Sequence, residues 1–343
     1  MNAPAEVVAV VASKKKKAYR PAELGKALSY RGNTPLLEIS PGKRVSLERA
    51  DLPGPTVAEI MAAKQPLPPA MRKYEAYMNN WKGGFGGKPG GQSAVPGDAP
   101  TIPANDHRPL QSPIRDQALR NTCTAHAAVA AIEARARKKG MTSPDFSENH
   151  AFNIFSILNM TSCGQDEGVP TWKTAAWLTS NRICTESESP YVPNVDTGNC
   201  QTIPTACRNN MRYGFTSTFP LYGRSGGEGV QTINSTNVLE SFIDAGFDVV
   251  AGFWLAGTDW NDGTAQSGVI DVQTVDVGQG PMPVGGYGGH AMVIVGYDRP
   301  GDYFILKNSW GTSFGHNGYA YVSYDYVRTY TRYGYVVMET TNP

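Results

Sequence analysis

Apolar and polar positions change their period near residue 245. Before it, the clearest periodic segment is 123–139, where Ala127, Ala130, Ala131 and Ala134 recur at helical spacing in an Ala-rich run. Lys138, Lys139 and Gly140 supply the cations and the stop expected at a helix C-terminus. After residue 245, short runs alternate or stay apolar, rich in β-branched and aromatic residues and broken by Gly and Asp. The runs 248–255, 291–297, 303–308, 318–324 and 334–339 read as strands. A helical first part and a strand-rich second part predict an α+β chain of two lobes with a cleft between them. Residues 1–80 are mixed and interrupted by Pro53, Pro55, Pro66, Pro68 and Pro69, with helices expected over 56–64 and 70–80. Residues 83–104 have the Gly/Pro composition of a linker. The expected division is an N-terminal segment 1–82, a linker 83–101 and a main domain 102–343.

Composition narrows the function classes. The net charge of +1 makes no global case for a nucleic-acid or membrane partner, and neither is expected. The charge is uneven: residues 1–101 carry fifteen Lys/Arg against eight Asp/Glu, a balance of +7, and residues 102–343 carry −6. A basic front segment can dock on an acidic body or simply be a solvated tail; Lys14–Lys17 fit the second reading. No apolar run reaches the 18 or so residues of a membrane span. The charges near the N-terminus follow the apolar stretch 7–12, the reverse of a secretory signal, which leaves the location open between cytoplasmic and exported by another route. No His-Glu-x-x-His or Cys-x-x-Cys framework exists, so no metal or other cofactor is expected. The five cysteines are 123, 163, 184, 200 and 207, which leaves either two disulfides beside one free thiol, or reduced buried thiols.

Candidate chemistry concentrates in four residues. Gln117 lies six positions before Cys123, His290 follows Gly288-Gly289 at the head of the run 291–297, and Asn308 opens Asn308-Ser309-Trp310-Gly311. A thiol nucleophile needs a base, a group to orient that base and a donor for the oxyanion, and Cys, His, Asn and Gln supply one complete set. Cys123 opens the predicted helix, where the positive end of the helix dipole favours a thiolate. His126, one turn on, is either a second candidate base or a buried helix-face histidine.

With these flanks and this order, the chain resembles the papain family of cysteine peptidases over roughly residues 102–343. The departures suggest a bacterial branch, of the xylellain-like kind. The resemblance implies a two-lobe fold with a helical left lobe and a β-barrel-like right lobe, the site lying between them. It implies Cys123 as nucleophile, His290 as base and acid, Asn308 orienting His290 under the cover of Trp310, and Gln117 donating to the oxyanion. It further implies that Gly168, in Asp166-Glu167-Gly168-Val169-Pro170, pairs with an extended polypeptide substrate. Val169, Pro170 and Ala291 would line an apolar pocket for the second residue before the scissile bond, with Gly289 beside it. Arg120 stands where the family has a cysteine, so that disulfide cannot form; Cys163 and Cys200 fall near another family bridge, which would leave Cys184 with Cys207. Precursors of the family carry inhibitory front segments, and residues 1–101 could cover the cleft although the usual helical pattern is missing. The expected activity is that of a monomeric cysteine endopeptidase made as a zymogen. A ligase or transpeptidase on the same site, or a non-catalytic peptide-binding homologue, are the alternatives.

Overall fold

The computed structural model describes residues 28–31, 34–40, 42–48, 56, 59, 102–159, 168–193, 203–224, 230–232, 236–256, 260, 267–271 and 287–341. Three short antiparallel strands come first: β1 (Leu28–Arg31), β2 (Thr34–Ser40) and β3 (Lys43–Ser46). β4 (Ala104–Asp106) precedes the helices α1 (Cys123–Lys138), α2 (Glu148–Leu158), α3 (Thr171–Ser180) and α4 (Thr205–Asn209). Next come β5 (Phe215–Pro220), the small hairpin β6 (Tyr222–Arg224) and β7 (Val230–Thr232), and α5 (Thr236–Asp244). The chain ends through β8 (Val249–Ala256), β9 (Val269–Ile270), β10 (Tyr287–Asp298), β11 (Tyr303–Lys307), β12 (Tyr319–Ser323), α6 (Tyr324–Tyr330) and β13 (Thr331–Thr340).

Period-two alternation along β10 explains the layering. Ala291, Val293 and Val295 point into one core with α1, α2 and α3, whereas Met292 and Ile294 point into a second core with α5 and α6. β10 is the spine of an eight-stranded sheet ordered β5-β13-β8-β10-β11-β12-β9, with β4 paired to the end of β10. β8 pairs with its first half and β11 with its second. The sheet is mixed, since β9 joins β12 in parallel, and among the described residues it is open. The right-hand lobe is thus a curved sheet backed by helices, not a closed barrel. The α+β expectation and the five expected strands stand, with bounds shifted by a few residues; Tyr324 opens α6 instead of ending a strand.

The front segment departs from its sequence reading. Pro35 and Pro41 break the alternation into pieces too short to register, yet β2 and β3 pair across a turn at Gly42. Leu37, Ile39, Val45 and Leu47 are buried in the second core beside Val238, Phe253 and Trp260. Residues 37–47 are therefore integral to the folded body. Thr56 and Glu59 cap one another, the Thr56 N–H donating to the Glu59 carboxylate at 2.8 Å and the Glu59 N–H to Thr56 Oγ1 at 3.3 Å. That is the start signal of the helix expected over 56–64. The rest of that helix, the expected helix 70–80, the linker 83–101, Asp166, Glu167, Cys163 and Cys200 lie outside the described residues.

Cys184 and Cys207 are joined in a disulfide, with Cα atoms 5.2 Å apart. Cys123 is the free cysteine among the described residues. Arg120, in place of a family cysteine, is fully buried. It donates to Asn149 Oδ1 at 3.0 Å and to the Val192 carbonyl at 2.9 Å and stacks against Phe152 and Tyr191. A planar, always-charged fork thereby ties the loop at 192 to the start of α1, a tether that needs no disulfide.

Candidate active site

Cys123 is the first residue of α1, with Thr122 as the flanking cap. Tyr191 braces this start: its hydroxyl donates to the Gln117 carbonyl at 2.9 Å and shares a 2.8 Å hydrogen bond with Thr122. His126 packs edge-on against the Tyr191 ring, and its Nδ1 lies 3.0 Å from the Thr122 carbonyl. Burial brings its pKa down to about 4. His126 is thus a neutral histidine committed to the helix start, which answers the question left open by the sequence.

His290 enters from the opposite side, on β10. Its Nε2 is 2.7 Å from Asn308 Oδ1, which also accepts from the Ser309 N–H at 2.7 Å. That bond fixes the ring and leaves Nδ1 as the nitrogen available to a thiol. Trp310 lies almost parallel to the imidazole, with centroids 4.6 Å apart, and is itself held edge-on by Trp260 and Phe314. Trp310 has no exposed surface, so the His290–Asn308 bond is shielded from water. The two halves meet at the sulfur, toward which the backbone N–H groups of Ala291 and Thr124 donate. Among the described residues, His290 Nδ1 has no hydrogen-bond partner.

Gln117 precedes the strained turn at Ala118 (φ 51°), whose N–H donates to Asp116 Oδ1 at 2.9 Å. Ser309 Oγ donates to Gln117 Oε1 at 2.7 Å, which fixes the orientation of the amide and makes Nε2 its donor end. That Nε2 donates to the Arg120 carbonyl at 3.0 Å and has a long, 3.5 Å contact with the Ser46 carbonyl. Gln117, Cys123, His290, Asn308 and Trp310 therefore converge on one place. Ser309 is a site residue that the sequence reading missed; its place between Asn308 and Trp310 was the only signal.

The cleft is occupied by the chain itself. From β3 the backbone continues as Leu47-Glu48, and Glu48 pairs with Gly289 as in an antiparallel ladder. The Glu48 N–H donates to the Gly289 carbonyl at 2.6 Å and the Gly289 N–H to the Glu48 carbonyl at 2.8 Å. A methyl group at Gly168 would meet Glu48 Cγ at 2.8 Å and Cα at 3.2 Å, so only glycine admits this approach. The two residues assigned to peptide binding, Gly168 and Gly289, thus clamp residue 48. Upstream, Lys43 Nζ anchors the segment through the Trp310 carbonyl at 2.7 Å and Asp116 at 3.1 Å. Pro170 borders the adjoining pocket with Thr171, Trp172, Gly252, Arg332 and Tyr333. Val169 and Ala291 are buried in the first core, and Arg332 brings a charge to a pocket expected to be apolar.

Electrostatics follow from this occupancy. The Glu48 carboxylate accepts a hydrogen bond from the Cys123 thiol; burial pushes its pKa up to about 7, against the lowering pull of Arg332 and of that thiol. Burial, then the adjacent Glu48, push the Cys123 thiol well above its usual pKa. Burial holds His290 at about 4, partly offset by the bond to Asn308. The pair is neutral in this arrangement. The helix N-terminus alone does not make a thiolate while Glu48 covers the sulfur.

Comparison with known proteins places the chain in a family. The model for "Papain family cysteine protease" matches residues 103–338. A cathepsin L-like proteinase of Fasciola hepatica is 26% identical over 208 residues, covering 60% of this chain and 55% of that protein. Mouse cathepsin O is 25% identical over 242 residues, covering 65% of this chain and 68% of the other. This chain thus spans about half to two thirds of the length of these two relatives. Among solved structures, xylellain, a cysteine protease from Xylella fastidiosa, superposes with a TM-score of 0.54 at 22% identity, over 74% of this chain and 91% of that one. Procathepsin L2 from Tenebrio molitor superposes with a TM-score of 0.51 at 20% identity, over 69% and 68%. At these identities the superpositions establish the fold.

Proposed function

We infer that this chain, which belongs to the papain family of cysteine proteases, cleaves polypeptides as a cysteine-type endopeptidase held latent by its own residues 43–48. The observation that carries the reading is the convergence of Cys123, the His290–Asn308 pair and the Gln117 amide on one cleft. When Glu48 leaves, His290 Nδ1 takes the thiol proton. The thiolate sulfur then attacks the scissile carbonyl carbon, and the carbonyl π electrons move to oxygen. Gln117 Nε2 and the Cys123 N–H receive that oxyanion. The imidazolium gives its proton to the leaving amine as the C–N bond breaks, and a water molecule, deprotonated by His290, hydrolyses the thioester. Asn308 acts through His290 as a positioning residue.

The latent state is supported by the same contacts. Ladder bonds between residue 48 and Gly289 take up the groups a substrate strand would use, and the Ser46 carbonyl lies toward the oxyanion donor. The Tenebrio neighbour is itself a procathepsin. The test is covalent labelling with an epoxide affinity reagent for papain-type thiols, mapped by mass, on the full chain at pH 5 and pH 7. The reading expects an adduct on Cys123 that His290→Ala abolishes. No adduct at either pH on the folded native chain or on folded Gly168→Ala, in which residues 43–48 are displaced, would move the weight to a non-catalytic peptide-binding homologue.

A further inference from the structure

His150, Cys184 and Cys207 meet at a junction of helices, and none of the three takes part in the catalytic set. His150 lies in the first turn of α2, where its N–H donates to the capping Ser147 Oγ at 2.9 Å. Cys184 lies just beyond α3, and Cys207 is the middle residue of α4. The backbone around them is fixed. The Ser147 N–H donates to the Cys184 carbonyl at 3.0 Å, and the Ile183 N–H to the Tyr213 carbonyl at 2.7 Å. Both cysteines have no exposed surface and His150 has 1%. His150 Nδ1 accepts from the Cys184 N–H at 3.3 Å and lies 3.1 Å from Cys207 Sγ. An accepting nitrogen carries no hydrogen, and a disulfide sulfur has none to donate, so the imidazole turns its lone pair toward the sulfurs. The nitrogen and both sulfurs lie within 4.8 Å of one another. A disulfide staple needs no such nitrogen. One imidazole nitrogen and two thiolates are, however, a donor set that zinc takes. The sequence held no local framework for it, because His150 and Cys184 are 34 positions apart and Cys184 and Cys207 a further 23.

We propose that these residues form a redox-gated zinc site: a disulfide where the chain is oxidised, a His-Cys-Cys zinc centre where it is reduced. The site stands apart from the peptidase reading and does not depend on it. A dithiol reductant opens the bond. One of its thiolates attacks a sulfur of the pair, forms a mixed disulfide and releases the other cysteine as a thiolate. Its second thiolate then displaces the remaining cysteine, and the reductant leaves as a cyclic disulfide, two electrons having passed to Cys184 and Cys207. Zn²⁺ replaces the two thiol protons, which go to the buffer, with no further redox step. With bonds of about 2.0–2.3 Å, ligand atoms around tetrahedral zinc stand roughly 3.5–4 Å apart, so the sulfurs need only swing apart once unbonded. His150 Nδ1, Cys184 Sγ and Cys207 Sγ fill three positions and leave the fourth to water. Either link ties α4 to the loop after α3, so the junction is held under oxidising and reducing conditions alike.

The experiment uses the full chain carrying Cys123→Ala, which removes the other thiol–imidazole pair. Oxidised and dithiothreitol-reduced samples are freed of reductant without air, incubated with zinc sulfate, desalted and assayed for metal by atomic emission. About one zinc per chain is expected on the reduced form and none on the oxidised form. Adding His150→Ala should abolish zinc retention while the oxidised form keeps its disulfide. Iodoacetamide alkylation of the zinc-loaded protein, mapped by mass, should spare Cys184 and Cys207. The site would be overturned by no zinc on the folded reduced chain, or by equal zinc on the oxidised chain or with His150→Ala. Protection of Cys163 and Cys200 alone would overturn it too. Should the reduced chain unfold, zinc must restore its circular dichroism, and failure to do so would equally overturn the site. Should His150→Ala not fold, the protection map on the Cys123→Ala chain decides.

Discussion

On the proposed function, Glu48 makes access to the Cys123 thiol depend on pH. Docked in the cleft, its carboxyl has a pKa of about 7; released, it returns to the ordinary 4.5. Docking therefore takes up a proton. Its full strength is present below pH 4.5 and is lost as pH rises through 7. The difference corresponds to about 3 kcal/mol, on the order of a hundredfold in occupancy of the closed cleft. The perturbation is Glu48→Gln, which mimics the protonated side chain and removes the titration. The assay is the rate of Cys123 labelling by an epoxide reagent from pH 5 to pH 8, expressed as the ratio of the native chain to E48Q, which cancels the intrinsic pH dependence of the thiol. The ratio should lie at about four at pH 5 and climb toward about three hundred by pH 8. A flat ratio, or one that falls with pH, would refute the reasoning: either Glu48 does not hold the segment, or it is held ionised.

Three further outcomes follow from the geometry. Asn308→Ala removes the 2.7 Å bond that orients His290 and should lower kcat by about ten- to a hundredfold with little change in KM, read by steady-state hydrolysis of a peptide substrate. Gly168→Ala places a methyl group 2.8 Å from Glu48 Cγ and should expel residues 43–48, seen as faster amide hydrogen exchange across β3. Cys207→Ser opens the link across a sequence separation of 23 and should cost about 3 kcal/mol, lowering Tm by roughly 5–10 °C in calorimetry.

Much of this was legible in the sequence because the signals were local. The helix at 123–138 announced itself by its alanines and its closing Lys-Lys-Gly, and the late strands by alternation between turn residues. Cys123, His290, Asn308 and Gln117 were readable because each sits in a distinctive short flank. What escaped depended on contacts between distant parts of the chain. Gln117 and Ser46 are 71 positions apart, and nothing around Ser46 or Glu48 signals that a carboxylate will lie on the Cys123 thiol. The strands at 28–46 were hidden because prolines cut their alternation into pieces of four to seven residues. Arg332 could not be assigned to a pocket since only the pairing of β13 with β8 brings it over Trp254. The thiol's neutrality had the same origin: sequence gave the helix N-terminus that favours a thiolate, and only the fold revealed the buried acid that opposes it.

The most direct test of the central claim is hydrolysis itself. The full chain and Cys123→Ala, each first shown to be folded, would be incubated at pH 7.5 with a denatured protein substrate, and new peptide termini identified by mass spectrometry. Internal cleavages by the native chain that are absent with Cys123→Ala are expected. Equal cleavage by both proteins, or none by a native chain whose Cys123 is fully labelled by the epoxide reagent, would contradict that claim.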